Sequence, residues 1–136
     1  MITTESSNEI FPKGDPAPSG YFTGNASVKT LLPPDEVFNT VIANVVFEPG
    51  ARNNWHTHPG GQILIGIDGI GYYQEKGKIA HKLVKGDVVR IPPGILHWHG
   101  AAKDSPFTHI AINPGTDKGT VNWMERVTDE EYQDAG

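Results

Sequence analysis

Residues 47–65 read FEPGARNNWHTHPGGQILI, and this stretch decides the fold. It sets His56-Thr57-His58 between breaks at Pro49-Gly50 and Pro59-Gly60-Gly61, and then runs into Gln62 and an apolar segment. In a strand, residues i and i+2 point to one face, so this pair aims two imidazoles at the same side of a sheet. A second pair of the same spacing, His97-Trp98-His99, follows the turn Pro92-Pro93-Gly94. Six histidines scattered through 136 residues yield about 0.3 such pairs at random. Two pairs in one small chain are therefore patterned, and inside a barrel they can converge.

Working outward, the chain reads as short strands and tight turns. Residues 40–47, with the run VIANVVF, stop at Pro49-Gly50. Residues 63–67 alternate Ile with Leu and Gly, and Asp68-Gly69 reads as a hairpin turn from which residues 70–74 return. Further strands are expected over residues 79–84, 88–91, 97–99 and 107–113, with turns at 75–78 and at Lys85-Gly86-Asp87. Thr128 followed by Glu131 matches a capping box, which predicts one or two helical turns over residues 129–133. Residues 1–26 are rich in Pro and Gly and read as an extended arm with little core of its own, ahead of a single domain over residues 27–136. The class is all-β, a sandwich or barrel.

Composition narrows the function. Eleven Lys and Arg against 16 Asp and Glu give a net charge of −5, which argues against a nucleic-acid partner. The chain has no cysteine, so disulfides, thiol nucleophiles and thiolate zinc sites are excluded. No stretch is long and apolar enough for a membrane span, and the first ten residues carry no leader pattern. The expectation is a cytoplasmic protein with a small-molecule substrate and no membrane partner.

Around the first histidine pair the spacing is Gly50-x5-His56-x-His58-x3-Gln62-x6-Gly69, and around the second it is Gly86-x5-Pro92-Pro93-Gly94-x2-His97. These spacings resemble the two motifs of the cupins. The resemblance implies a jelly-roll β-barrel in which His56, His58, Gln62 and His97 hold one metal ion. Cupins usually carry Glu where this chain has Gln62. A neutral amide leaves the ion its full charge, which weakens binding but makes a stronger Lewis acid. The stretch 47–65, the runs HWHGA (97–101) and THIAI (108–112), the tail NWMERVTDEEY (122–132) and Tyr21-Phe22-Thr23-Gly24 resemble the small bacterial cupins that include the manganese-dependent hydroxynitrile lyases. A Gln ligand is usual there. That resemblance implies Mn2+ as the cofactor, with Fe2+, Zn2+, Ni2+ or Co2+ as alternatives. It also implies cleavage of a cyanohydrin such as mandelonitrile to an aldehyde and cyanide.

Strand parity adds a pocket. His97 pointing inward carries His99 with it. His109 pointing inward carries Phe107, Ala111 and Asn113, and an inward Phe47 carries Val45 and Ala43. His109 is assigned here as the general base and His99 as the hydrogen-bond partner of the departing cyanide, histidine being suited to proton traffic near neutral pH. Each also has a structural reading, His99 as a support and His109 as a paired core residue. Trp55 and Trp98 read as packing or rim residues, Arg52 as structural, Asp87 as a turn residue and His81 as exposed. Two further functions stay open: a dioxygenase-, decarboxylase- or isomerase-type cupin, and a binding module without catalysis. Small cupins commonly pair, so a homodimer or homotetramer is expected, with the arm free to complete a neighbour's sheet.

Overall fold

The structure, a computed structural model, describes residues 10–136. Two antiparallel sheets curl over one another. The first holds six strands in the order β1 (Asp15–Pro16), β3 (Ala26–Leu32), β4 (Thr40–Phe47), β12 (Phe107–Pro114), β7 (Gln62–Gly69) and β10 (Val88–Ile91). The second is built around β11 (His97–Ala101). On one side β11 pairs with β8 (Gly71–Glu75), which pairs with β9 (His81–Leu83). On the other side it pairs with β5 (Arg52–Asn53) and β6 (His56–Thr57), which continue to β2 (Phe22–Thr23) and β13 (Asn122–Trp123). The chain crosses repeatedly between the two sheets, staying within one only at β3–β4, β5–β6 and β8–β9, as in a jelly roll.

The described part of the arm folds onto its own barrel. β1 lies along β3, and β2 lies along β5 with Phe22 paired to Asn53. Phe22 is buried and packs in the main core beside Phe47, so the arm contributes apolar contact as well as edge cover. Residues 1–9 of the expected arm lie outside the described residues.

Two expectations about strands are corrected. Asp68-Gly69 does not close a hairpin, because β7 and β8 belong to different sheets. The chain turns a corner there: Gly69 has φ 80°, and a Cβ would stand 1.9 Å from the Pro106 carbonyl oxygen. Only glycine fits that approach. The strand expected over residues 79–84 is confined to His81–Leu83, since Ile79 is exposed and Asp87 Oδ2 accepts the Val84 N–H at 2.8 Å, drawing that end into the next turn. The helix α1 (Asp129–Ala135) forms with its capping box intact: Thr128 Oγ1 accepts from Glu131 N at 3.1 Å and Glu131 Oε1 accepts from Thr128 N at 2.9 Å. It runs two residues beyond the expected end.

α1 seals the outer face of the second sheet. Trp55, Trp98, Val127 and Tyr132 form a separate apolar cluster there. Trp98 points to the opposite face from His97 and His99, as period-2 alternation demands, and donates Nε1–H to Gln74 Oε1 at 2.9 Å. Arg52 is buried under the helix, where its Nη2 donates to Val127 O at 3.1 Å and Asp129 Oδ1 at 2.7 Å and its guanidinium lies 4.5 Å over the Tyr132 ring. Arg52 is structural, and both tryptophans pack away from the barrel interior.

Candidate metal centre and cavity

β11 and β6 place His97 directly across from His56, with ring centroids 4.2 Å apart. His58 follows β6, its ring 4.9 Å from His56 and 5.5 Å from His97. Gln62 enters from the first residue of β7, and its Oε1 lies 3.1 Å from His97 Nε2. The two motifs are tied at the backbone as well, because the N–H groups of Gly61 and Gly94 both donate to His58 O, at 3.0 and 3.1 Å. The four residues whose ligand role follows from the cupin resemblance thus meet at one place.

The ring tautomers follow from the backbone. Nδ1 of His56 faces Asn54 O at 2.7 Å, that of His58 faces Thr120 O at 2.7 Å, and that of His97 faces Ile95 O at 2.9 Å. A carbonyl only accepts, so each Nδ1 carries the proton and each Nε2 keeps a lone pair. His58 Nε2 is buried with no partner. His97 Nε2 faces Gln62 Oε1, which is also an acceptor, because Gln62 spends its N–H on Asn113 Oδ1 at 2.9 Å. Lone pairs directed at one another in a buried place are costly alone and are what a cation needs, with the outer ring nitrogens anchored on carbonyls. Burial also lowers the pKa of all three imidazoles, that of His97 to about 4 and that of His56 well below its ordinary value, with further help from neighbouring His97. They are neutral at pH 7, the form that binds metal. The residues fit a divalent ion.

His99 adds a second geometry. Ring nitrogens of His56, His97 and His99 come within 4.8 Å of one another. His99 is engaged elsewhere, however. Asn53 Nδ2 lies 3.2 Å from His99 Nε2, Asn53 Oδ1 accepts the His99 backbone N–H at 2.9 Å, and His109 Nε2 sits 3.0 Å from His99 Nδ1. Asn53 Nδ2 also lies 3.3 Å from His99 Nδ1, so these contacts hold the ring without choosing its tautomer.

A cavity of about 360 Å³ opens above these groups. Ala43, Val45, Ala111 and Asn113 line it, as strand parity predicts, with His56, His58, Gln62 and His99 at its polar end. Phe47, Phe107 and His109 share the inward face but are not among the cavity's lining residues. They lie further along their strands, fully buried, with Phe47 and Phe107 rings 5.6 and 5.7 Å from His109. The sequence reading missed Asn53 and the aromatic mouth formed by Phe22, Tyr21 and Trp123, the last two stacked at 4.8 Å and 8°. Asn53 sits three residues before His56 on a separate two-residue strand, so no period links them. His81 is exposed.

A jelly roll with imidazoles converging beneath an apolar cavity defines the class: a cupin-type barrel with a histidine centre. Residues 43–117 match the family model described as the cupin domain, and the chain belongs to the cupin family. It is 45% identical over 116 residues to an (R)-mandelonitrile lyase of Granulicella tundricola, covering 85% of this chain and 88% of that protein. It is 29% identical over 119 residues to a germin-like protein (subfamily 2 member 1) of Arabidopsis thaliana, covering 54% of that protein. A crystal structure of a cupin-like protein from Thermotoga maritima superposes with a TM-score of 0.91 at 54% identity, covering 93% of this chain and 96% of that one.

Proposed function

We propose that this cupin is a metal-dependent lyase of the hydroxynitrile class, splitting a cyanohydrin into an aldehyde and hydrogen cyanide and running the reverse addition. The observation that carries this reading is the set of buried, mutually facing lone pairs on His58, His97 and Gln62 at the base of an apolar cavity. The 45% identity to an (R)-mandelonitrile lyase supports it. His56, His58, Gln62 and His97 hold the ion, Mn2+ in this reading, although affinity order and supply let Fe2+, Zn2+, Ni2+ or Co2+ compete for the same donors. When bound, the ion supplies Lewis acidity to the substrate hydroxyl.

The chain's own residues handle the proton. His99 stands on the cavity wall, whereas His109 stands behind it, and the tautomer of His99 with its lone pair on Nε2 is the active one in this proposal. The proposal therefore moves the base role from His109 to His99. His99 Nε2 takes the hydroxyl proton as the carbonyl forms, the bond to the nitrile carbon breaks, and its electron pair departs with cyanide. The same proton then passes from His99 to cyanide, so the reaction releases aldehyde and hydrogen cyanide with no net proton change. His109 at Nδ1 and Asn53 against both ring nitrogens hold the His99 ring in place. Ala43, Val45 and Ala111 give an apolar wall for the substrate's organic group, and Tyr21 and Trp123 frame the mouth.

The test is cyanide release from (R)-mandelonitrile by Mn2+-loaded protein beside His97→Ala. Release that needs both the ion and His97 is the expected result. No release from protein shown to hold Mn2+ would overturn the lyase reading and leave the oxygenase-type and binding-module functions standing.

A further inference from the structure

We propose that Asn113 is a positioning residue that aims the Gln62 carbonyl oxygen at the imidazoles, and so decides whether this site accepts a cation. The inference rests on the metal reading above but concerns affinity, not turnover.

A glutamine side chain presents its oxygen or its NH2 group with nearly equal ease, because the terminal torsion is broad and two-fold. Which end faces the histidines therefore depends on the neighbours. His97 Nδ1 is committed to Ile95 O, so His97 Nε2 offers only a lone pair to Gln62. Judged by His97 alone, Gln62 would turn its N–H inward, make a good hydrogen bond and block the position. The structure shows the opposite: Oε1 stands 3.1 Å from His97 Nε2, and Nε2 of Gln62 donates to Asn113 Oδ1 at 2.9 Å. With Asn113 Oδ1 facing it, the turned amide would set oxygen against oxygen.

The partnership is a product of sheet pairing. Gln62 opens β7 and Asn113 lies near the end of β12, and the two strands run antiparallel with Ile63 opposite Ile112. The two amides meet at the cavity wall, 51 residues apart in sequence. Gln62 is 4% exposed, and Asn113 supplies the acceptor for its N–H.

A carboxylate at position 62 would need no aiming, since both of its faces are acceptors. This separates an aiming role from a merely structural one. The measurement is Mn2+ affinity by competition with a fluorescent chelator for four proteins: wild type, Asn113→Leu, Gln62→Glu and the double variant. Asn113→Leu should weaken Mn2+ binding about tenfold or more when position 62 is Gln, the scale on which outer partners of metal ligands act. With Gln62→Glu in place, the same change should alter affinity by no more than about twofold. Asn113→Asp, which can only accept, should retain binding. Equal losses in both backgrounds, or no loss in either, would overturn the aiming role while leaving the metal reading intact. A wild-type chain that binds no Mn2+ would overturn both. Circular dichroism establishes that each variant folds. Asn113→Ser, whose hydroxyl is too short to reach Gln62, replaces Asn113→Leu if that protein does not fold.

Discussion

Acidifying the metal-free protein should destabilise it steeply between pH 7 and pH 5. His97 and His109 are buried as neutral rings, and burial pushes the pKa of each down to about 4. In the unfolded chain the same groups titrate near ~6.5. Below that value the unfolded state binds protons that the native state refuses, so stability falls with falling pH until the folded pKa is reached. Each ring contributes a loss of about 2 kcal/mol between pH 7 and pH 5, from about 1.4 kcal/mol per pH unit over the interval where only the unfolded state is charged. Two rings give about 4 kcal/mol, a large share of the roughly 5–15 kcal/mol that holds a domain together. His56 and His99 act in the same direction, both lowered by burial first. Urea unfolding in the presence of a chelator, followed by tryptophan fluorescence, reads this directly. The midpoint should drop by about 2 M at the lower pH, given a slope of about 2 kcal/mol per M. His109→Phe replaces one titrating ring by an apolar one between Phe47 and Phe107 and should remove roughly half of the two-ring loss. Excess Mn2+ should recover the His97 share and leave the His109 share. A midpoint that stays fixed with pH, or a His109→Phe variant with an unaltered pH response, would refute the argument that these rings are buried uncharged.

Two further outcomes are expected. Asn53→Leu removes the amide that grips His99 at both the ring and the backbone. It should lower kcat about 10²-fold, the scale of a displaced proton-transfer group, with bound Mn2+ unchanged by metal analysis; a parallel loss of metal would place Asn53 in binding instead. The outer face of the six-stranded sheet aligns Val88, Ile65 and Ile110 in one row and Ile63, Ile112 and Ile42 in the next, with Val88 65% exposed. We propose that it joins two copies. Light scattering should then give at least twice the 14.8 kDa chain mass, and Ile65→Glu should return it to one.

Much of this protein is legible without coordinates, and the reasons differ by feature. The two His-x-His pairs, the Gly and Pro punctuation and the alternation of short apolar runs mark an all-β sandwich or barrel with each histidine pair on one face, because period-2 parity is local and survives any strand arrangement. The capping box at Thr128 and Glu131 is equally local, and α1 starts where it directs. Gln62 and His97 share no period; their union at one site was expected only through the cupin resemblance.

What parity leaves open is depth. Phe107, His109, Ala111 and Asn113 share one face of β12, yet only the last two line the cavity, because the other two lie toward the end that Phe47 plugs. Parity likewise cannot show that Asp68-Gly69 switches the chain between sheets, since a turn residue fixes a bend and not the strand that receives it. The tertiary structure alone brings Asn53 against His99, Asn113 against Gln62 and Phe22 into the core. Each of these contacts joins strands distant in sequence, and their register is set by packing across the whole barrel. The sequence alone settles which histidines share a strand face, because that parity is local. The folded barrel decided their order in depth, their tautomers and their partners, since these depend on carbonyls and amides that only long-range pairing brings near.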